Sequence, residues 1–279
     1  MPVYLEPLSQ LTWAYQLHYY LCFRTRSRRA LFFSPELIDA LKQALQAACR
    51  EHQYHLLESS LERDNLRCVL SLRPQHSLST VIQKVKGSLS HDLSQLVALA
   101  PPLFERGYLA RSVGRVRIEA VKRYLDNQAE HHGYSKRVHP PVVNYRAAKE
   151  VDLKAEHGWF DLSHHLVFAT RWRRSIFGSK LGSELSDYWL RVAAKRGFAI
   201  DRMSILPDHT HLLVRIPPKL SVEACALSLL NNAQHWIGRN GGAELISAGL
   251  DQLWQASAYA GTCGSVSTAL MKRFLSHGR

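Results

Sequence analysis

Two histidines one residue apart, His209 and His211, lie inside Ile205-Leu-Pro-Asp-His-Thr-His-Leu-Leu-Val214, and their types and spacing are the first in the chain to suggest chemistry. After Pro207 and Asp208, which suit a turn or a strand entry, the stretch has the composition of a strand. Side chains alternate faces along a strand, so the two imidazoles point one way and Thr210 the other. Two imidazoles side by side on a rigid strand make half of a metal site. Such a pair also arises by chance on half-buried strands, so its weight depends on what surrounds it.

The elements that must position the pair are written twice. Tyr20-Leu-Cys-Phe-Arg-Thr-Arg-Ser-Arg-Arg-Ala-Leu-Phe32 returns as His165-Leu-Val-Phe-Ala-Thr-Arg-Trp-Arg-Arg-Ser-Ile-Phe177. The stretch Asp64–Pro74 aligns with Asp208–Pro218, and Val113–Leu125 with Cys263–Leu275. The three blocks keep one order at offsets of 145, 144 and 150 residues (20 to 165, 64 to 208, 113 to 263). Self-similarity of this length marks two copies of one domain. The copies span residues 1–132 and 160–279, with a linker over 133–159 that carries Pro140-Pro141 and is expected to hold one short helix near Tyr145–Lys154. Each copy reads as strand, helix, strand, strand, helix, turn, helix. In the first, strands are expected over Leu17–Arg24, Tyr54–Ser60 and Asn65–Leu72, and a helix opens at Ser34-Pro35-Glu36. In the second, strands are expected near His164–Thr170, Ala199–Leu206 and His211–Ile216, with helices near Gly182–Arg196, Val222–Ile237 and Ser267–Leu275. Hairpin-connected strands with few helices imply an α+β fold, each copy an antiparallel sheet covered by helices on one side.

Composition narrows the partners. In 279 residues, 36 Lys and Arg stand against 23 Asp and Glu, a formal charge of +13, which favours a polyanion and nucleic acid first. Five scattered cysteines suggest neither a zinc knuckle nor a disulfide framework. No apolar run is long enough to span a membrane, so a soluble, cytoplasmic and nucleoid-associated protein is expected.

The chain resembles the single-tyrosine HUH transposases of small insertion sequences and the REP-associated tyrosine transposases. Three stretches carry the resemblance: Leu206–Val214, the Thr-Arg-x-Arg-Arg block after the first strand of each copy, and Val121-Lys-Arg-Tyr-Leu-Asp-Asn-Gln128. It covers both halves and implies two ferredoxin-like (HUH) domains in tandem. In that family a tyrosine attacks a phosphodiester of single-stranded DNA to form a 5′-phosphotyrosine, while two histidines and a glutamine hold a divalent metal. Carried onto this chain, the resemblance makes Tyr124 the nucleophile and His209, His211 and Gln128 the ligands of Mg or Mn. Tyr124 and Gln128 are four apart and share a helical face.

The two copies have lost different parts. In the first, the histidine positions are Asn65 and Arg67, and a guanidinium cannot ligate a cation. In the second, the tyrosine position is Phe274. Dimers of the family place the tyrosine helix of one subunit over the histidine strand of the other. The expectation is therefore an intramolecular pseudo-dimer with one composite site, Tyr124, Gln128, His209 and His211, and a vestigial one at Asn65, Arg67 and Phe274. Arg26, Arg28, Arg29, Arg171, Arg173 and Arg174, recurring in both copies, are expected to contact DNA phosphates. Asp208 reads as a turn residue rather than a ligand, and Trp172, beside a strand, as core. The function implied is a metal-dependent single-stranded DNA nickase and strand transferase acting on hairpin-containing element ends, as a monomer with accessory transposition proteins. The alternative is a catalytically silent DNA binder descended from a transposase.

Overall fold

In a computed structural model of the protein, residues 2–32, 34–96, 102–114, 116–126 and 141–264 are described. The first copy contains strands β1 (Thr12–Gln16), β2 (His18–Arg24), β3 (His55–Glu62), β4 (Asn65–Ser71) and β5 (Tyr108–Val113), with helices α1 (Pro35–Glu51), α2 (Leu78–Leu96) and α3 (Ile118–Asp126). β6 (Val143–Arg146) and β7 (Gly158–Asp161) follow in the connecting stretch. The second copy adds β8 (Ser163–Thr170), α4 (Ser179–Arg196), β9 (Ala199–Leu206), β10 (His209–Arg215), α5 (Val222–Asn240), α6 (Gly242–Ser247) and β11 (Trp254–Cys263). The helix expected at Ser267–Leu275 lies outside the described residues, as do Gln128 and Phe274.

The helices begin where their sequences provide caps. Ser34 Oγ accepts from Leu37 N ahead of Pro35, and Ser221 Oγ accepts from Ala224 N at the start of α5. α4 ends at Gly197, whose left-handed φ of 75° costs no Cβ clash.

The strands form two sheets, β1-β11-β8-β10-β9-β6 and β3-β4-β2-β5-β7. The repeat is visible in the pairing: β9-β10-β8-β11 has the same order as β3-β4-β2-β5, all antiparallel. Each copy also gives a strand away. β1 pairs parallel to β11 of the second copy, and β7, which leads directly into β8, pairs parallel to β5 of the first. Exchange of equivalent strands protects two sheet edges at once.

The contacts between the copies are reciprocal. His18 N donates to Thr262 Oγ1 (3.0 Å), and its counterpart Ser163 N to Ser112 Oγ (2.9 Å). Ser112 Oγ donates to Cys263 O, and Thr262 Oγ1 to Val113 O. Ser79 N donates to Pro218 O and Glu223 N to Pro74 O, both at 2.9 Å. On the axis itself, equivalent residues meet: Tyr19 Oη and His164 Nε2 lie 2.8 Å apart, and 19 plus the 145-residue offset is 164. A two-fold interface uses the same patch on both partners, so the chain is a pseudo-dimer in one polypeptide.

One apolar core runs through both copies. Trp189, Trp254 and Phe168 are buried within it, with the indoles of Trp189 and Trp254 stacked at 5.7 Å. Leu212 and Val214 of β10 point into this core, beneath α4 and α5, while Leu213 points to the other face, where Val121, Leu125 and Cys263 cover it. The long helices therefore lie on one face, and α3 of the first copy crosses to the opposite face of the second copy's sheet. The linker differs from expectation. Instead of a helix near Tyr145–Lys154, residues 143–146 form β6, antiparallel to the edge strand β9, which satisfies backbone groups that a helix of this length would leave exposed.

Candidate active site beneath the exchanged helix

β10 carries His209, His211 and Leu213 on the face that α3 covers. Its register with β8 sets Leu213 opposite His165, so His165 lies diagonally across from His211 on that same face. His165 Nε2 and His211 Nδ1 are 3.1 Å apart, with their rings stacked at 5.3 Å. The rings of His209 and His211 are 5.1 Å apart. Tyr124 of α3 sits edge-on to both inner histidines, its ring centroid 5.7 Å from His211 and 6.4 Å from His165. α3 is held there by Val121 and Leu125 against Leu213 and Cys263, and by Asp126, which accepts from Arg202 Nε of β9 at 3.2 Å.

The structure thus brings Tyr124 of the first copy to His211 and His165 of the second, with His209 beside His211. Gln128, the fourth expected member, lies outside the described residues. Among the described residues, no group of three or more His, Cys, Asp or Glu side chains forms a cation site. The chemistry of the donors nonetheless suits a metal. His209 Nδ1 lies 2.6 Å from Asp208 Oδ1, and Asp208 Oδ2 accepts from Arg173 Nε at 2.8 Å. A carboxylate on one ring nitrogen fixes the imidazole and leaves Nε2 of His209 to ligate, the usual arrangement behind a metal-bound histidine. Burial alone would raise the Asp208 pKa; the His209 hydrogen bond and charge, with Arg173, outweigh it and keep the group below its ordinary value, hence a carboxylate. His165, crowded by its neighbours, is pushed down to about 4 by desolvation and is neutral at physiological pH.

Asp208, expected as a turn residue, also hydrogen-bonds His209 and Arg173. His165, which the sequence suggests is merely structural or exposed, lies beside His211, a place that follows only from strand register. Trp172 is not core: it is 70% exposed, with Arg171 5.3 Å from its ring. It lies in a short turn where Trp172 and Arg173 both have positive φ (57° and 55°), repeated at Ser27 and Arg28 of the first copy (56° and 52°). Left-handed backbone at four non-glycine residues costs free energy and, where it recurs, signals a shaped turn.

The arginine blocks diverge in use. Arg173 is tied to Asp208 and Arg171 to Asp251 (2.9 Å), while Arg26, Arg29 and Arg174 are exposed. Arg28 is half-buried. In the first copy, Asn65 and Arg67 occupy the histidine positions and are closed into a network: Arg67 Nη2 donates to Glu62 (2.7 Å), Arg67 Nε to Asn65 Oδ1 (3.1 Å), and Asn65 Nδ2 to Glu62 and Asp64 (both 3.0 Å).

Fold and geometry together define a duplicated α+β protein with one cluster of strand histidines under the other copy's tyrosine helix. The chain belongs to the IS200-like transposases, whose family profile matches it twice, over residues 13–128 and 159–277. It is 26% identical to the ISDra2 transposase TnpA of Deinococcus radiodurans over 73 residues, which cover 26% of this chain and 52% of that protein, about half its length. It is 23% identical to the transposase for insertion sequence element IS200 of Salmonella typhimurium over 121 residues, 43% of this chain and 79% of that one. A solved structure of a REP-associated tyrosine transposase bound to a REP hairpin aligns with a TM-score of 0.30 and 12% identity over 49% of this chain and 75% of that chain. Among the described residues, no helix is long and apolar enough to cross a membrane.

Proposed function

We propose that this chain cleaves and rejoins single-stranded DNA at one composite site, with Tyr124 as nucleophile and His209, His211 and Gln128 as ligands of Mg or Mn. The observation that carries the reading is Tyr124 of one copy lying over His211 of the other. Tyr124 Oη attacks phosphorus and the bond to the 3′-oxygen breaks, leaving a 5′-phosphotyrosine and a 3′-hydroxyl. The phenol proton leaves as the new P–O bond forms, and the departing 3′-oxygen takes one up. Because the bond energy is kept in the covalent intermediate, a second 3′-hydroxyl can reverse the step without ATP. A divalent cation, when bound, neutralises charge that develops on the phosphate oxygens. Asp208 orients His209 for that cation, and Arg173 orients Asp208. The exposed Arg26, Arg29 and Arg174 contact DNA backbone, with Arg28 and Arg171 at the base of the same turns. The substrate is single-stranded, with hairpin-bearing element ends the expected source, and accessory transposition proteins are expected partners of a monomeric chain.

The first copy's closed Asn65–Arg67–Glu62 network supports reading the second position of the pseudo-dimer as a vestigial site, with Phe274 its expected helix partner. The chain then holds one DNA end covalently at a time. The test is incubation with labelled single-stranded oligonucleotides and Mn²⁺ or Mg²⁺, followed by a denaturing gel and peptide mapping. An adduct at Tyr124, abolished by Tyr124→Phe and by His209→Ala, is expected. Tight DNA binding without an adduct under any metal would replace this reading with that of a silent DNA binder.

A further inference from the structure

On the flank of α3 away from the histidines, a cavity of about 370 Å³ opens between that helix, β6 and the turn after it. Lys122 of α3, Arg146 of β6, Lys149 and Arg202 of β9 line it together with Glu150 and Asp201. The two carboxylates are already engaged by Arg215, which reaches Asp201 at 2.9 Å and Glu150 at 3.3 Å and is not part of the lining. Arg202 is engaged by Asp126. Among the described residues, Lys122, Arg146 and Lys149 have no carboxylate within ion-pair distance; with Arg202 and Arg215 they make five cations against Glu150, Asp201 and Asp126, a net charge of +2 around one opening.

Helix geometry fixes the relation of this cavity to the chemistry. Successive side chains turn by about 100°, so Lys122 and Asp126 share a flank while Tyr124, two positions from each, points away from them. Tyr124 faces β8 and β10, and Lys122 faces β9 and β6. The basic residues that the linker supplies to the cavity are not repeated in sequence. By the 145-residue offset, positions 147–150 correspond to Pro2–Leu5, which contain no basic residue.

We infer that this cavity binds a backbone phosphate of single-stranded DNA flanking the nucleotide presented to Tyr124, so that the connection between the copies grips the substrate and steadies the tyrosine helix. The inference rests on the function proposed above for the choice of ligand. An anion fits because the cations are solvated when the cavity is empty and a phosphodiester replaces water with charge-assisted hydrogen bonds. The basic linker residues then lie on the side that carries Tyr124 and the His209–His211 strand.

The test is fluorescence anisotropy of the full chain with a labelled single-stranded DNA of mixed sequence, in EDTA, across a salt titration. Three proteins are compared: the native chain, Arg146→Gln/Lys149→Gln, and Lys195→Gln/Arg196→Gln, which removes two exposed charges at the end of α4. Each single-strand phosphate contact contributes about 0.7 to the slope of log K against log salt. Arg146→Gln/Lys149→Gln is expected to lower affinity about tenfold and the slope by about 1.4, with the α4 pair losing less than half as much. Equal losses in the two variants, or a native slope in Arg146→Gln/Lys149→Gln, overturn the cavity assignment even where the Tyr124 adduct forms. A lowered slope with no adduct under added metal keeps the cavity and removes the chemistry. A native chain that binds no single-stranded DNA overturns both.

Discussion

At the scale of single residues, the contact between Tyr19 and His164 shows how the pseudo-dimer depends on proton occupancy. His164 is 2% exposed and sits between the copies, and desolvation pushes its pKa from 6.5 down to about 3. The folded chain therefore holds it neutral while the unfolded chain binds a proton below about pH 6.5. Stability rises with pH wherever the unfolded state binds more protons. This group's contribution is thus whole above about 6.5 and is lost as pH falls toward 3, with a slope of up to about 1.4 kcal/mol per unit. In Tyr19→Phe/His164→Leu both partners of the buried hydrogen bond are removed together, so stability at neutral pH changes little. Urea unfolding between pH 7 and 4 is expected to show a shallower loss in the double variant, by one proton; an unchanged slope would mean that His164 titrates normally. Asp208 shows a different residue-level lesson. Its sequence context is that of a turn, and only the fold shows the 2.6 Å contact to His209 on which the proposed positioning role rests.

At the scale of elements, the exchanged strands set tight constraints where they cross. Gly114 N donates to Gly264 O at 3.0 Å, and a Cβ at Gly114 would run into the Thr262 carbonyl. Gly264, its counterpart in the repeat, has a φ of 126°. Gly114→Ala is expected to cost about 1–3 kcal/mol through overpacking. Gly87→Ala, in an exposed turn of α2 with nothing near its Cβ, should instead stabilise by about 0.5–1 kcal/mol. Urea midpoints moving in opposite directions check the pair; equal shifts would deny that the crossing is tight. The same elements show what was legible in advance. β2, β4, β8, β9, β10, α1, α4 and α5 were readable because each has local signals, a cap or an alternating apolar pattern, and each occurs twice. β1, β6 and β7 were not: they are four or five residues long, partly exposed, and become strands only by pairing with distant chain. Local composition carries no trace of such partners. The histidine pair and the tyrosine helix were legible from repeat alignment, whereas His165 needed register and the basic cavity needed the linker to fold back on β9.

At the scale of the whole molecule, fusion explains why the two copies diverged so unevenly. In a homodimer, a substitution in the histidine strand appears in both sites, so its loss would remove all activity. In a fused chain each copy has one fixed partner, and loss of the first histidine pair and the second tyrosine leaves one complete set on the proposed reading. The tether also keeps the halves together, since linking converts association into an intramolecular step at millimolar effective concentration. The halves still depend on each other physically: β1 and β7 complete the opposite sheet, and the apolar core is continuous across the boundary. An intact chain should therefore sediment as a monomer and unfold in a single transition. Opening the chain between Lys136 and Arg137 provides the sharper test. Co-produced, residues 1–136 and 137–279 are expected to purify as a one-to-one complex that forms the Tyr124 adduct, whereas neither piece forms it alone. The piece 137–279 in isolation lacks β1 beside β11 and α3 over Leu213, so it exposes apolar surface and should aggregate or self-associate. A soluble, folded 137–279 monomer would show instead that each copy is complete by itself, with the exchanged strands and helix merely lying against its surface.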